Sequence, residues 1–346
     1  MLCVLIVFIH NNINTVNFND KSVVLDIPLA QQAIRFFISG CVASIAVPLF
    51  FFMSSYLLFK KDDPYPVMLK KRVRSLLLPY VLWITLLIAL RFIEQQIPFL
   101  KQYFATVIIR ELKPKDFVSL YVGGHFYGKD HFQPFMGQLW FVRDLFLCTV
   151  FSPVIGQLFK RMPLFATVAA LLFFQSSLLY DGIREAVFYF SLGCLASRFD
   201  LSYKNIARIR FLDIGLLYAL IIALRFYFHF TFDFTGKSTG MPLGMLNILV
   251  GGLLLLKITG CACENERVHG VLAYLAGFSF WVYAMHWECL NVIKKLWVKF
   301  LPLNGTSLLF EYLLGTAVCV GICLLAAIVL KRIAPKVYAV LTGGRA

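Results

Sequence analysis

The sequence predicts an all-α polytopic membrane protein, a bundle of about ten transmembrane helices. Three observations carry that fold class. The 346 residues are 60% hydrophobic and 16% aromatic, only 15% are charged, and mean hydropathy is +0.78, too little polar surface for a wetted globular domain. Apolar runs of membrane-crossing length recur along the whole chain. The basic residues gather in the short connections between those runs, where they set orientation in a bilayer.

Taken in order, the chain opens on MLCVLIVFI before His10. Nine helical residues reach only ~13.5 Å, against ~30 Å of hydrocarbon. The run lacks the basic flank and small-residue cleavage site of a secretory signal, so it is expected to be a truncated first helix, the outer half of a longer span. Further spans are expected near residues 33–59, 75–93, 138–158, 164–180, 186–197, 211–230, 242–257, 271–290 and 307–330. An even number of spans puts both termini on one side. One set of connections holds 18 Lys and Arg and the opposite set 13, six of these in one long segment, which favours a cytoplasmic C-terminus. That long segment, 94–137, reads as an interfacial helix followed by the Gly- and aromatic-rich loop YVGGHFYGKDHFQPF. With no repeat, low-complexity tract or long hydrophilic stretch, a single membrane domain over 1–346 is expected. The formal charge of +15 would suggest nucleic acid in a soluble chain; confined to connections, it marks topology, and no nucleic-acid partner is expected. The nine cysteines lie mostly inside apolar runs without disulfide-framework or CxxC spacing, and read as small buried side chains.

Ionisable residues within spans are costly and usually face a cavity or a protein partner. His10, the Arg143–Asp144 pair and the His286–Glu288 pair all fall near outer span ends, and Ser279, Tyr283 and His286 share one helix face. Together they could line one extracytoplasmic site. The plainer readings are an interfacial histidine for His10, a mutually neutralised helix contact for Arg143 and Asp144, and snorkelling for Arg225 and His229. His125 and His131 lack a carboxylate or thiolate constellation, so no metal is expected. On the opposite side, Lys70, Lys71, Arg72 and Arg74 precede a span. They fit a topology signal or an anionic-lipid contact, and equally a polyphosphate site, because Arg and Lys form charge-assisted bonds to phosphate.

Four segments in order, VPLFFFMSSYLLF, KKRVRSLLLPYVLW, LWFVRDLF and FWVYAMHWE, resemble motifs of the acyltransferase 3 family of integral membrane O-acyltransferases. The resemblance implies transfer of an acyl group, acetyl or another short one, from acyl-CoA to a hydroxyl of a sugar or cell-envelope glycan, in a bacterial inner membrane. It implies acyl-CoA as co-substrate held by Lys70, Lys71, Arg72 and Arg74, no permanently bound cofactor, and a carbohydrate or lipid-linked glycan acceptor. His10 would be the general base, since neutral imidazole suits proton abstraction from an alcohol. His286, Glu288 or Asp144 would orient it or the acceptor, Arg143 would stabilise the oxyanion, and Trp140, Tyr283 and Ser54 would complete the substrate site. Two departures stand out. The basic residue that the family carries eleven positions before its first-span His would fall ahead of Met1, and Ser55 stands where Gly is usual. The alternative is a transporter or exporter of a polar or glycan-related solute, since buried His, Arg and carboxylates also mark ion paths.

Overall fold

The computed structural model describes residues 2–12, 14–18, 21–61, 63–104, 109–126, 129–232 and 242–344. It is helical nearly throughout. Five helices are long and apolar enough to cross a membrane: Leu29–Lys61, Tyr65–Glu94, Phe211–Phe232, Pro242–Cys263 and Gly305–Ile333. Two bent pairs, Gly137–Val150 with Ser152–Arg161 and Glu266–Ala276 with Ser279–Phe300, each turn by 58° at a short break and bring the number to seven if each pair is one span. The expected ten are therefore not reached among the described residues.

The shortfall has local causes. The run 138–158 breaks at Phe151, just ahead of Pro153, which lacks the N–H that a continuous helix needs. The run 271–290 breaks at Gly277 and Phe278, and its second helix continues to Phe300. Pro163–Gln175 has 13 residues, about 20 Å, and Leu2–Asn11 has 10, about 15 Å. Asp181–Arg198 carries Asp181, Arg184, Glu185 and Arg198 within its 18 residues. The interfacial helix expected after residue 94 is instead several short helices, including Pro98–Phe104 and Pro114–Val122, the latter started by Asp116 accepting from the Lys113 backbone N–H at 2.8 Å. Two small antiparallel hairpins lie among the described residues: Thr15–Asn17 with Ser22–Val24, and Gly124–Phe126 with Lys129–His131.

Contacts divide the chain into two compact units assembled from interleaved stretches. The first comprises Met1–Ile9, Gln32–Leu69 and Leu147–Gly277. In it, Leu29–Lys61 packs closely along Asp181–Arg198. A Cβ on Gly193 would sit 2.2 Å from the Phe52 carbonyl oxygen and 2.8 Å from Ser55 Cβ, so the hydrogen side chain is what lets the backbones meet. Arg225 is buried, its guanidinium 5.6 Å from the Phe36 ring, and Phe36 stacks on His229 at 4.0 Å. The expected snorkelling of Arg225 gives way to a cation–π contact inside the protein. Here the backbone is π-helical over Phe36–Val42, and Asn247 Nδ2 donates to the Cys41 carbonyl at 2.9 Å.

The second unit comprises His10–Gln31, Lys70–Phe146 and Phe278–Ala346. Its helices Tyr65–Glu94, Ser279–Phe300 and Gly305–Ile333 are tied at one end by Trp83, Phe278, Trp281 and Tyr338, with Trp83 Nε1 donating to the Leu341 carbonyl at 3.0 Å. Two further π-helical turns lie here, Val73–Leu77 beside the basic residues and Glu311–Gly315.

Replacing Gly193 by Ala is expected to push Leu29–Lys61 off Asp181–Arg198 and cost about 1–3 kcal/mol, the usual range for overpacking. A lowered thermal midpoint of the detergent-solubilised variant checks this, with an unchanged midpoint showing that the helices relax freely.

Candidate active site

The residues that carry chemistry in the second unit are placed by helix ends and helix faces. His10 lies in the last turn of Leu2–Asn11. The next residue, Asn11, is fully buried, and its Nδ2 donates to the Tyr312 carbonyl at 3.1 Å, the Thr316 hydroxyl at 3.0 Å and the Glu311 carbonyl at 3.3 Å. Those carbonyls belong to the π-helical turn Glu311–Gly315, whose widened ladder presents them to a side chain. Lys294, itself buried, donates from Nζ to the His10 carbonyl at 3.2 Å. The backbone at His10 is thus pinned from two helices.

His286 lies seven residues into Ser279–Phe300, about 10 Å from the helix start and 21 Å from its end. That is mid-helix, and not the outer span end expected from a run finishing at 290. Its side chain is fully buried. Nδ1 lies 2.7 Å from the Tyr283 carbonyl and 3.2 Å from the Val282 carbonyl. Carbonyls only accept, so Nδ1 carries the proton and Nε2 keeps its lone pair. Nε2 has no hydrogen-bond partner among the described residues. The His10 ring lies 5.1 Å from the His286 ring and 4.9 Å, edge to face, from Trp287. An imidazole of fixed tautomer beside a second imidazole, with the Trp287 ring against the latter, can take a proton from a hydroxyl and return it to a leaving group.

The other sequence candidates are placed elsewhere. Glu288 is two positions from His286, about 200° around the helix, and two such positions do not share a face. It pairs with Arg91, which also bonds Glu94 at 2.7 Å. Lys295 adjoins this group and donates to the Tyr103 carbonyl at 2.6 Å. Asp144 is fully buried and accepts from Arg143 Nε at 2.8 Å. Arg143 Nη1 donates to the carbonyls of Val122 and Phe132, both at 2.6 Å, joining the two ends of the intervening segment. Gly123, at φ 95°, makes that approach possible, because a Cβ there would lie 2.9 Å from the Phe132 backbone and 3.1 Å from Arg143 Nη1. His125 and His131 have side chains outside the described residues.

Tyr283 donates to the Gln138 carbonyl, and Gln138 Nε2 returns a bond to the Ala284 carbonyl at 3.0 Å. Trp140 is the half-buried first residue of Trp140–Val150. Ser54 is half-buried in the first unit. Lys70, Lys71 and Arg74 are exposed and Arg72 half-buried at the start of the helix that ends in Glu94. Arg74 and Arg91 are 17 residues apart on that helix, about 26 Å, so the basic turn lies nearly a hydrocarbon thickness from the Arg91–Glu288 pair.

Sequence reasoning missed Asn11, Arg91, Trp287, Lys294 and Gln138. A signal existed for two of them. Arg91 and Lys294 are charges near span ends whose partners lie on other helices, which a one-dimensional reading assigns to topology.

The acyltransferase domain model of the acyltransferase 3 family matches residues 1–328. The chain belongs to that family. It is therefore an acyltransferase, and an integral membrane protein. It is also 27% identical over 323 residues to the succinoglycan biosynthesis protein ExoH of Rhizobium meliloti strain 1021, covering 90% of this chain and 82% of that one. No solved structure matches it.

The Arg91–Glu288 pair generates a prediction. Arg91 and Glu288 side chains are only 12% and 20% exposed, so removing one leaves an under-compensated charge, costing on the order of 3 kcal/mol. Arg91→Ala and Glu288→Ala should each lower the thermal midpoint, and Arg91→Met combined with Glu288→Leu should recover most of the loss. Independent, additive losses would count against a direct pair.

Proposed function

We propose that the protein moves an acyl group, acetyl or another short one, from acyl-CoA to a hydroxyl of a cell-envelope glycan in a bacterial inner membrane, with its C-terminus cytoplasmic. The observation that carries the chemistry is His286: fully buried, its Nδ1 proton held by the Tyr283 and Val282 carbonyls, its Nε2 without a partner among the described residues and its ring 5.1 Å from that of His10. Family membership supports acyl transfer, and likeness to a succinoglycan biosynthesis protein supports a glycan acceptor.

In this reading the acceptor hydroxyl gives its proton to His286 Nε2 as its oxygen attacks the thioester carbonyl carbon. The tetrahedral intermediate expels the CoA thiolate, the C–S bond breaks, and the imidazolium returns its proton to the sulfur. His10, pinned through Asn11 and Lys294, closes the other side of the reacting hydroxyl. This exchanges the roles expected from sequence, because the tautomer of His286 is fixed by two carbonyls, while among the described residues no hydrogen bond orients the His10 ring. Arg143 acts through the loop whose ends it joins, since its Nη1 and Nε already donate to Val122, Phe132 and Asp144. Glu288 contributes through Arg91 to helix position. The phosphates of the donor rest on Lys70, Lys71, Arg72 and Arg74. The ~26 Å of helix between Arg74 and Arg91 supports separate approach of donor and acceptor from the two membrane faces.

His286→Ala should lower single-turnover transfer by roughly 10²–10⁴-fold, the worth of a general base, while acyl-CoA binding stays within about twofold. A wild-type rate would remove His286 from the mechanism. An Asn11→Ala variant should show the same split in milder form, since it frees the chain beside His10.

Arg72→Ala or Arg74→Ala should instead weaken acyl-CoA binding by about 10- to 150-fold, the loss of one charge-assisted phosphate bond. Cysteines introduced at Val73 and Val122 should be labelled from opposite sides of sealed vesicles. Labelling of both from one side would overturn two-sided access.

A further inference from the structure

One group of side chains beside His286 has no part in the transfer chemistry. Cys289 on Ser279–Phe300 and Cys319 and Cys323 on Gly305–Ile333 bring three sulfur atoms within 4.8 Å of one another. Cys319 and Cys323 are four residues apart on one helix face and both are buried; Cys289 is half-buried, which leaves a way in. We propose that these three cysteines form a binding site for a soft monovalent metal ion, Cu(I), whose occupancy restrains His286.

Geometry and charge select this ion class. Metal–sulfur bonds of ~2.3 Å in a trigonal plane need sulfurs ~4.0 Å apart, so small side-chain rotations suffice. Sulfur ligands select Cu(I) and Zn(II) over harder ions. Zn(II) takes four ligands, and the group holds three residues among those described. Buried charge is costly between helices in a membrane. A Cu⁺ that replaces one thiol proton leaves the site neutral: Cys–SH and Cu⁺ give Cys–S–Cu and a proton released to solvent, with no change of oxidation state. The two remaining sulfurs complete the trigonal shell.

The site communicates with the histidine through short paths. Cys289 is three residues from His286, and Cys319 Sγ–H donates to the His286 carbonyl at 3.5 Å. With Cys319 as the thiol that gives up its proton, the ion removes that bond and ties Ser279–Phe300 to Gly305–Ile333, the same helix that supplies the Asn11 acceptors. Copper therefore changes the position of both imidazoles without touching either.

The test is anaerobic titration of the purified full chain with Cu(I) against a chromophoric Cu(I) chelator, in wild type, Cys289→Ala, Cys319→Ala and Cys323→Ala. Cys261→Ser with Cys263→Ser serves as control, because that half-buried pair could hold copper itself. The wild type and the control are expected to retain one Cu(I) per chain with a thiolate-to-copper ultraviolet band, and each single alanine variant to bind at least tenfold more weakly. Equal retention in the three alanine variants, or loss in the control alone, overturns the site. Circular dichroism and thermal unfolding select folded variants, and Cys289→Ala, at the half-buried position, keeps the test decisive where a buried replacement fails to fold. This arm needs no acyl transfer, so it stands apart from the proposed reaction. A second arm measures transfer: saturating Cu(I) should slow wild type and spare Cys319→Ala. Equal slowing of both would overturn the restraint on His286.

Discussion

Inside a bilayer every backbone carbonyl must find a donor within the protein, and the arrangement around the histidines depends on that constraint. Regular helices meet it by themselves. The π-helical turns do not, because a widened ladder turns carbonyls outward. At Phe36–Val42 the donor is Asn247, reaching the Cys41 carbonyl; at Glu311–Gly315 it is Asn11, reaching those of Glu311 and Tyr312. A buried asparagine without such acceptors would itself be destabilising, so turn and side chain require each other. The second of these partnerships fixes the residue next to His10, which converts a solvation requirement into a positioning device.

The same economy governs charge. Glu288, Glu94 and Arg91 satisfy one another, and Arg143 divides its donors between Asp144 and two loop carbonyls. These pairs hold helices and loop ends in place. His286 is different, since its Nδ1 is engaged by its own helix and its Nε2 is not engaged among the described residues. The reaction proposed above uses that nitrogen.

Much of this was legible in one dimension. Composition and apolar runs named a helical membrane protein, and four ordered motifs pointed to the acyltransferase 3 family, whose domain model covers residues 1–328. His10 and His286 were both singled out, and the structure brings their rings together. Among the described residues five to seven helices meet the length and composition of a span, fewer than the ten runs read from sequence, because hydropathy counts apolar length and is blind to the breaks at Phe151 and Gly277 and to the charges of Asp181–Arg198. The interfacial helix after residue 94 failed for a related reason, since Pro98 and Pro114 begin short helices in place of one long one.

What the sequence by itself determined is the solvent this chain is built for and the kinds of chemistry it carries, because apolar length, basic connections and motif residues are local properties. What only the tertiary structure decided is which polar groups consume one another. Glu288 faces Arg91 and not His286 because two residues turn a helix by about 200°. Asn11, passed over in the sequence, holds His10 because its acceptors lie some 300 residues away in a turn whose π geometry no local pattern announces. The three cysteines read as scattered apolar residues until two helices set their sulfurs within 4.8 Å. Pairing is a property of distance in space, and in a bundle of long helices that distance is fixed by packing between segments far apart in the chain.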